Sequence, residues 1–300
     1  VNDGALNSAA SSTAVTVVPV NDAPVLDLNG PAGGANSTTI FTEGNSALKV
    51  MPFMTITDPD SPTFKGATVT LTNPQDNDQL YFATTNAKIA VTSATVDGKL
   101  VFTLTGEATQ AEYNDVLKSL RFINNSDNPS VVNRVIDVTV NDGTDTSKAA
   151  QAIIKVVAVN DAPTVSFSGA EYTETGAATA LVKNRVIGDV DSGQLSGAKI
   201  TLSGIKGEDL IASDYYKGGT EGDTSLGIHY SLSTDSAGNV VITLSGNASI
   251  ADYQTLISPL NYANSSDTPS VAARGVKIEI TDVDPHATNN QSGLNTASVT

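Results

Sequence analysis

A long internal repeat constrains the fold of this 300-residue chain more than any other feature. The segment GKLVFTLTGEATQAEYNDVLKSLRFINNSDNPS at Gly98–Ser130 returns as GNVVITLSGNASIADYQTLISPLNYANSSDTPS at Gly238–Ser270. The shorter motif VNDAP occurs at Val20–Pro24 and again at Val159–Pro163. Self-similarity over this length means that both copies should adopt the same fold, so the chain is predicted to contain tandem domains of one type.

The two VNDAP motifs place the expected domain boundaries. We predict one repeat over residues 20–158 and a second over 159–300, the second with extra residues around YYKGGTEGDTSLGIHY. Residues 1–19 match the tail of the first repeat at Val140–Ala158, so they are interpreted as the closing strand segment of a preceding repeat. The final residues, LNTASVT, are expected to stop inside a truncated closing strand. Ser12–Val18 could then complete a domain of another chain.

Alternating Val, Ile and Thr residues indicate strands bounded by turn residues. The segments ATVTLTN, LVFTLTG, RVIDVTVNDG and AAQAIIKVVAV all show this pattern. One helix is predicted over Thr109–Leu120, where Thr109 and Glu112 have capping-box spacing, and Ser249 and Asp252 hold the same positions in the second copy. The predicted fold class is all-β: tandem antiparallel Greek-key sandwiches of about seven strands, each with a short helix.

Composition argues against several functions. The net charge of −16, from 32 acidic and 16 basic residues, disfavours a nucleic-acid partner. The chain has no cysteine, and no apolar run is long enough to predict a membrane span. Its two histidines, His229 and His286, are interpreted as ordinary side chains. No enzyme is expected, because the carboxylate pairs that a glycosidase would need recur in duplicate beside turn residues.

The acidic motifs are expected to gather at the ends of the domains. This follows if the strands alternate in direction, as in an immunoglobulin-type sandwich. The top of the first domain would then carry Asn21, Asp22, Asp58, Asp60 and Asp142. The next junction would combine Glu43 and Asp127 with Asn160, Asp161, Asp189, Asp191 and Asp282, and the far end of the second domain would carry Glu174 and Asp267.

Such a concentration of carboxylates calls for a cation. Two carboxylates about 5 Å apart repel by about 1 kcal/mol even in water. Calcium accepts about six to eight oxygen ligands from carboxylates, amides and backbone carbonyls, whereas magnesium tends to keep its waters. The D-x-D and N-D spacings therefore predict Ca²⁺ as the cofactor. Ordinary Asx turns without metal are the alternative interpretation of the same motifs.

The pattern resembles the cadherin-like repeats found in tandem in large bacterial surface adhesins, including RTX-type biofilm adhesins. The resemblance implies metal ligands of four kinds: a Glu near the first strand, a D-x-D pair, an Asp before the last strand, and an N-D linker. These match Glu43 and Glu174; Asp58, Asp60, Asp189 and Asp191; Asp142 and Asp282; and Asn21, Asp22, Asn160 and Asp161. The family's D-R-E-type motif is absent, and SDNP and SDTP turns containing Asp127 and Asp267 stand in its place.

The resemblance implies an extracellular stalk on a bacterial surface. Calcium at the junctions would hold neighbouring repeats of the same chain rigid, in a structural role in adhesion or biofilm formation. Two alternatives remain open. The chain could be a glycan- or protein-binding module that uses Tyr215, Tyr216, His229 and Tyr230 of the second copy. It could also be the subunit of an extracellular filament, joined to other copies of itself by strand donation.

Overall fold

The computed structural model describes residues 1–2, 4–216, 219–258 and 260–283, and the chain forms two compact units. The first unit comprises Val1–Phe41, Asn45–Ile123 and Val132–Lys155. The second comprises Thr42–Gly44, Asn124–Val131 and the chain from Val156 onward, so it includes two short segments of the first sequence repeat. His286 and the closing strand expected in LNTASVT lie outside the described residues.

The first unit consists of strands in three sheets and one short helix. The strands are β1 (Val25–Asp27), β2 (Ser37–Thr42), β3 (Leu48–Lys49), β4 (Thr55–Thr57), β5 (Thr63–Leu71), β6 (Asp78–Phe82), β7 (Ala90–Val96), β8 (Lys99–Thr109), β9 (Leu120–Asn124), β10 (Arg134–Asn141) and β11 (Ala150–Val157). The helix is α1 (Gln110–Lys118). The largest sheet has the order β2-β11-β10-β5-β8-β7, and two smaller sheets have the orders β3-β9-β6 and β1-β4.

The second unit repeats this plan. Its elements are β12 (Thr164–Ser168), β13 (Thr179–Ala180), β14 (Lys183–Gly188), β15 (Gln194–Ser203), β16 (Asp209–Ala212), β17 (Glu221–Asp223), β18 (His229–Thr234), β19 (Val240–Ser249), α2 (Ile250–Ile257), β20 (Asn261–Asn264) and β21 (Gly275–Asp282). The sheet orders are β17-β18-β19-β15-β21, β13-β20-β16 and β12-β14. Neither helix of the described chain is long and apolar enough to cross a membrane.

The two units have the same strand order wherever their strands correspond. The order β10-β5-β8-β7 of the first unit returns as β21-β15-β19-β18 in the second. The register of the central strand shifts at the matching place, between Phe64 and Gly66 in β5 and between Leu195 and Gly197 in β15. The predicted all-β class with one short helix in each repeat is therefore confirmed.

The strands are shorter and more numerous than the sequence suggested. Within the segment ALKVMPFMTI, a turn between Met51 and Met54 separates two short strands, β3 and β4. Both methionines are completely buried, so the chain bends here to bury both side chains. Apolar burial therefore prevails over strand continuity at this point.

Residues 1–19 were interpreted from the sequence as the closing strand segment of a preceding repeat, and Ser12–Val18 within them do not pair as a strand inside this chain. The side chains of Val15 and Val17 are 85% and 83% exposed. A strand forms only when its backbone groups pair with those of a neighbouring strand. Among the described residues, no strand is recorded beside this segment.

Each helix begins at the predicted capping box. The Thr109 side chain accepts a hydrogen bond from the backbone N–H of Glu112, and the Glu112 carboxylate accepts one from the backbone N–H of Thr109. The helix ends two residues before Leu120, because Ser119 caps it and Leu120 begins β9. The second helix has the same box at Ser249 and Asp252.

A tyrosine on each helix anchors it to a distorted glycine. The Tyr113 hydroxyl donates to the carbonyl of Gly106 at 2.6 Å, and the Tyr253 hydroxyl donates to that of Gly246 at 2.7 Å. Both glycines have φ near +130° (132° and 131°), and a Cβ at Gly106 would lie 1.9 Å from the carbonyl oxygen of Lys88. Only glycine fits this position.

Each unit also buries one bidentate arginine–aspartate pair, which the sequence analysis did not identify. The guanidinium of Arg134 donates to both carboxylate oxygens of Asp78 at 2.9 and 3.0 Å. The Arg274 guanidinium donates to Asp209 at 2.8 and 2.9 Å. Burial alone would raise the pKa of the Asp209 carboxyl, but hydrogen bonds from Arg274 and Tyr262 hold this pKa well below its usual range. The pairs connect the start of β10 to β6 and the residue before β21 to β16, and in each case the two strands belong to different sheets.

Replacement of one partner of a buried pair should be costly. Asp78→Ala leaves the Arg134 guanidinium buried without its carboxylate, so we expect the free energy of unfolding to fall by about 3–5 kcal/mol. The measurement is urea denaturation followed by circular dichroism. The control is Lys88→Ala, which breaks the exposed Lys88–Glu112 ion pair and should cost less than about 1 kcal/mol. Equal losses in the two variants would contradict a stabilising role for the buried pair.

Candidate metal centre

The first acidic cluster (Asn21, Asp22, Asp58, Asp60 and Asp142) lies in the first unit. Directly after β4, one carboxylate oxygen of Asp58 (Oδ1) accepts from the backbone N–H groups of Asp60 at 3.2 Å and Ser61 at 2.9 Å. This is an Asx turn. The other oxygen, Oδ2, is buried and has no hydrogen-bond partner. The backbone N–H of Asp22 donates to Asp60 at 3.0 Å, which joins the N-D linker to the D-x-D motif.

The linker asparagine connects this cluster to the loop after β10. The side-chain amide of Asn21 donates to Asp142 at 2.9 Å and to Asp145 at 2.8 Å. Asp142 also accepts from the backbone N–H groups of Thr144 and Asp145. Burial would raise the pKa of Asp142, but the hydrogen bonds from Asn21 and the backbone outweigh it and lower this pKa. Asp145 was not predicted as a site residue, although NDGTD places it three residues after Asp142.

The second acidic cluster (Glu43, Asp127, Asn160, Asp161, Asp189, Asp191 and Asp282) lies in the second unit. Part of it repeats the first cluster bond for bond. Asp189 accepts from the backbone N–H groups of Asp191 at 3.1 Å and Ser192 at 2.8 Å. The backbone N–H of Asp161 donates to Asp191 at 3.0 Å, and the Asn160 side-chain amide donates to Asp282 at 2.7 Å.

The second cluster contains two additional carboxylates, those of Glu43 and Asp127. The predicted residues of the first cluster include no equivalent of either. Glu43 accepts from the backbone N–H of Val159 at 2.8 Å, and its own backbone N–H donates to the carbonyl of Val157 at 2.9 Å. Asp127 itself is exposed, but its charge acts on both Glu43 and Asp161. The following residue, Asn128, donates its side-chain amide to the carbonyl of Val190 at 3.2 Å. Residues that are distant in the sequence therefore lie close together in the second cluster.

Four oxygens of the second cluster are buried without a hydrogen-bond partner. They are Oδ1 of Asn160, Oδ2 of Asp161, Oδ2 of Asp189 and Oδ1 of Asp191. Buried polar atoms are normally paired, and leaving one unpaired costs about 1–3 kcal/mol. In the first cluster only Oδ2 of Asp58 is in this condition among the described atoms.

The donor set fits a hard cation. All four unpaired atoms are carboxylate or amide oxygens, the ligands that calcium prefers, with no nitrogen or sulfur among them. Within the described parts of the chain, no group of three or more acidic, histidine or cysteine side chains is placed so that these side chains alone could hold a metal ion. An ion would therefore need the Asn160 amide oxygen, and backbone or water oxygens as well, to fill its coordination shell.

The pKa values show that the carboxylates of the second cluster repel each other. Burial and then the neighbouring Asp191 carboxylate raise the pKa of Asp189 to about 6. Burial also raises the pKa of Asp161, with further contributions from Asp191 and Asp127. The pKa of Glu43 is raised by burial, is lowered in part by the bond from Val159, and is raised again by nearby carboxylates. The charges acting on Asp161 and Glu43 are all negative, which favours a cation at this place.

The remaining predicted residues lie elsewhere. Glu174 and Asp267 are exposed in turns of the second unit. Glu174 lines a cavity of about 250 Å³ together with Tyr172, Leu181 and Arg274. Within the described residues, neither Glu174 nor Asp267 belongs to a group of converging acidic side chains.

The tyrosines among the extra residues of the second copy pack inward. The hydroxyl of Tyr216 donates to the carbonyl of Leu256 at 2.7 Å, and Tyr230 is 1% exposed. Tyr215 is packed against the same core. His229 is paired with the exposed Asp223 at 3.0 Å. The three tyrosines therefore contribute to the core, and they do not form the open aromatic surface that a glycan-binding site would need.

Fold and site together define an all-β chain of two similar units, each with an oxygen-rich acidic cluster. No family model and no curated protein matches it. Among solved structures, it is similar to the C-terminal domain of the AgI/II polypeptide BspA from Streptococcus agalactiae, with 10% identity, a TM-score of 0.24, and coverage of 92% of this chain and 98% of that chain. A structure titled BspA_C_WT has 11% identity, a TM-score of 0.20, and coverage of 79% and 83%. These TM-scores are too low to carry an argument about fold or function.

The raised pKa of Asp189 predicts a pH dependence when divalent ions are removed. Its value of about 6 in the folded chain lies above the ordinary 3.8, so the folded state binds this proton more tightly than the unfolded state does. The resulting stability is fully present below the ordinary pKa and is lost as the pH rises through about 6. In chelator, we therefore expect the melting temperature of the second unit to rise as the pH falls from about 7.5 to about 5.

The matched variants for this experiment are Asp189→Asn and Asp97→Asn. The first removes the titrating group and should flatten the rise. The second removes an exposed carboxylate in the β7–β8 turn and should leave the rise unchanged. If Asp189→Asn keeps the full pH response, the electrostatic description of the cluster is wrong.

Proposed function

We propose that the chain is a calcium-stiffened extender, or stalk, region of an extracellular bacterial surface adhesin. In this role it has no catalytic activity and serves adhesion or biofilm formation by holding another part of the protein away from the cell. The observation that carries the proposal is the set of four buried, unpaired oxygens in the second acidic cluster. The resemblance of the repeated acidic motifs to cadherin-like repeats supplies the adhesin context.

A calcium ion in the second cluster would be held by the unpaired oxygens of Asn160, Asp161, Asp189 and Asp191. Glu43 and Asp127 would add negative charge beside it. Calcium takes about six to eight oxygens, so backbone or water oxygens would complete the shell. Binding would make the electrostatic interaction energy of the cluster favourable, because the mutual repulsion of the carboxylates would be replaced by attraction to a shared cation.

The proposed ligands explain how an ion would stiffen the chain. Asn160 and Asp161 belong to the linker motif VNDAP that joins the two sequence repeats, and Glu43 already accepts from the backbone of Val159 in the same motif. An ion bound to this motif and to Asp189 and Asp191 would remove backbone freedom from the linker. Without the ion, we propose that the linker acts as a hinge. Extracellular calcium modules bind with Kd values of about 10⁻⁴–10⁻³ M, so the stiffness would follow the surrounding calcium concentration.

Calcium should stabilise the chain and lengthen it. We expect millimolar Ca²⁺ to raise the melting temperature by mass action and to increase the maximum dimension in small-angle X-ray scattering, with chelator reversing both. Magnesium at equal concentration should have a smaller effect, since it dehydrates reluctantly. Melting and scattering curves that do not change between calcium and chelator would count against the proposal.

The two acidic clusters should differ in affinity for calcium. Asp58 and Asp189 hold equivalent positions, but the second cluster has four unpaired oxygens, against one in the described part of the first. In calorimetric titration, Asp189→Asn should weaken the tightest class of sites about tenfold or more, which corresponds to about 1.4 kcal/mol. Asp58→Asn should leave that class almost unchanged, and Asp97→Asn should match the unaltered chain. A larger effect for Asp58→Asn would reverse the proposed order of the clusters.

A further inference from the structure

Three cationic side chains of the first unit line one open pocket. Lys49 in β3 lies directly opposite Arg121 in β9, and Lys118 is in the last turn of α1. The pocket has a volume of about 170 Å³ and lies beside the end of the helix. Within the described parts of the chain, none of the three cations forms an ion pair. Like charges on directly opposed residues destabilise a sheet, so the stability of the fold does not explain this arrangement.

An exposed aromatic ring lies next to the cations. Tyr81 is in β6, the other neighbour of β9 in the sheet, and is 42% exposed. The backbone N–H of Ala83 donates to the carbonyl of Ser119 at 3.1 Å, and this register places Tyr81 opposite Arg121. Directly opposed residues share one face of a sheet. Lys49, Arg121 and Tyr81 therefore form a row across three strands on the solvent side of the sheet.

The second unit has the same strands at this place but none of the same chemistry. The four equivalent residues are small or uncharged: Ala180, Ala212, Ser258 and Asn261. Asn261 lies directly opposite both Ala180 and Ala212, as Arg121 lies opposite Lys49 and Tyr81. The same fold thus forms without the three cations and the ring, which indicates that these side chains serve binding and not folding.

The side chains favour a sugar that carries a carboxylate. A guanidinium binds a carboxylate through two parallel hydrogen bonds, as Arg134 and Arg274 already do inside this chain. Lysine ammonium groups add attraction as point charges. A tyrosine ring offers an apolar face for packing against a sugar ring and a hydroxyl for hydrogen bonding.

The charge of the whole chain narrows the ligand further. The net charge of −16 repels a densely charged polymer such as a nucleic acid. A polymer whose carboxylates are separated by neutral groups pays less of this repulsion, because only one charge at a time approaches the cations. The expected ligand is therefore a polysaccharide in which acidic sugars alternate with neutral ones.

We propose that Lys49, Tyr81, Lys118 and Arg121 form a binding face for such an acidic polysaccharide. Arg121 holds the carboxylate, the two lysines stabilise its charge, and Tyr81 packs against a sugar ring. Asp115 also lines the pocket, and its repulsion limits the affinity. This function goes beyond that of a stalk, because the first unit would itself attach to polysaccharide. None of the proposed calcium ligands takes part, so a failure of the calcium proposal would not affect it.

The test is calorimetric titration of the full chain with short hyaluronan oligosaccharides, in which glucuronate alternates with a neutral sugar. Chelator is present throughout, so that calcium cannot bridge the sugar to the acidic clusters. Arg121→Asn introduces the residue that the second unit has at this position, and it should weaken binding about tenfold or more. Lys99→Ala removes an exposed cation elsewhere in the first unit and should leave the Kd almost unchanged.

Stability measurements separate a binding role from a structural one. Neither Arg121→Asn nor Lys49→Ala should lower the melting temperature, because each relieves the repulsion between directly opposed cations. Lys49→Ala should also weaken binding, which keeps the test decisive if Arg121→Asn folds poorly. Asp115→Asn should strengthen binding, since it removes a negative charge from the pocket.

Four results would overturn the inference. The first is an unaltered chain that binds no hyaluronan oligosaccharide. The second is equal binding of the same oligosaccharide after its carboxylates have been reduced to alcohols. The third is equal weakening by Lys99→Ala and Arg121→Asn, which would show an effect of net charge alone. The fourth is equally tight binding of polyglutamate, which would indicate an acidic protein segment as the partner.

Discussion

Each acidic cluster depends on an aspartate whose two carboxylate oxygens have different roles. In Asp189, Oδ1 accepts two backbone N–H groups and closes the turn after β14, while Oδ2 remains buried and unpaired. Asp58 has the same division in the first unit. The turn and the metal-site interpretations of the D-x-D motif are therefore compatible, because the turn uses one oxygen and holds the other in a fixed position. The fold itself creates the unpaired acceptor that a cation would satisfy.

Local signals in the sequence predicted local structure well. The capping boxes at Thr109 and Ser249 set the helix starts, since a cap involves residues only three positions apart. Alternation in RVIDVTVN predicted β10, whose residues alternate between buried and partly exposed. The Arg134–Asp78 pair was missed because its partners lie far apart and no periodic pattern connects them. Only the recurrence of both residues in the second copy, as Arg274 and Asp209, could have revealed it.

The composition of the candidate site could be predicted, but the difference between its two copies could not. Motif matching treats Asp58 and Asp189 as equivalent, and the structure gives both the same turn. What separates them is the arrival of Glu43 and Asp127 at the second cluster from loops that are distant in sequence. The burial that leaves several oxygens unpaired is likewise a tertiary property. A pattern of ligands therefore predicts where an ion could bind, whereas affinity depends on what else is packed around it.

Calcium binding to the folded second unit would increase the free energy of unfolding of that unit. Buried carboxylates with raised pKa values lower the free energy of unfolding when no ion is bound. A cation that binds only the folded state raises this free energy again. In the first unit burial and the neighbouring Asp60 carboxylate also raise the pKa of Asp58. There, however, hydrogen bonds lower the pKa of Asp142, and Asp22 and Asp60 are exposed to solvent. Both units also have an apolar core and a buried arginine–aspartate pair, neither of which requires an ion. If calcium binds as proposed, the stability of the second unit should therefore respond to calcium more strongly than that of the first.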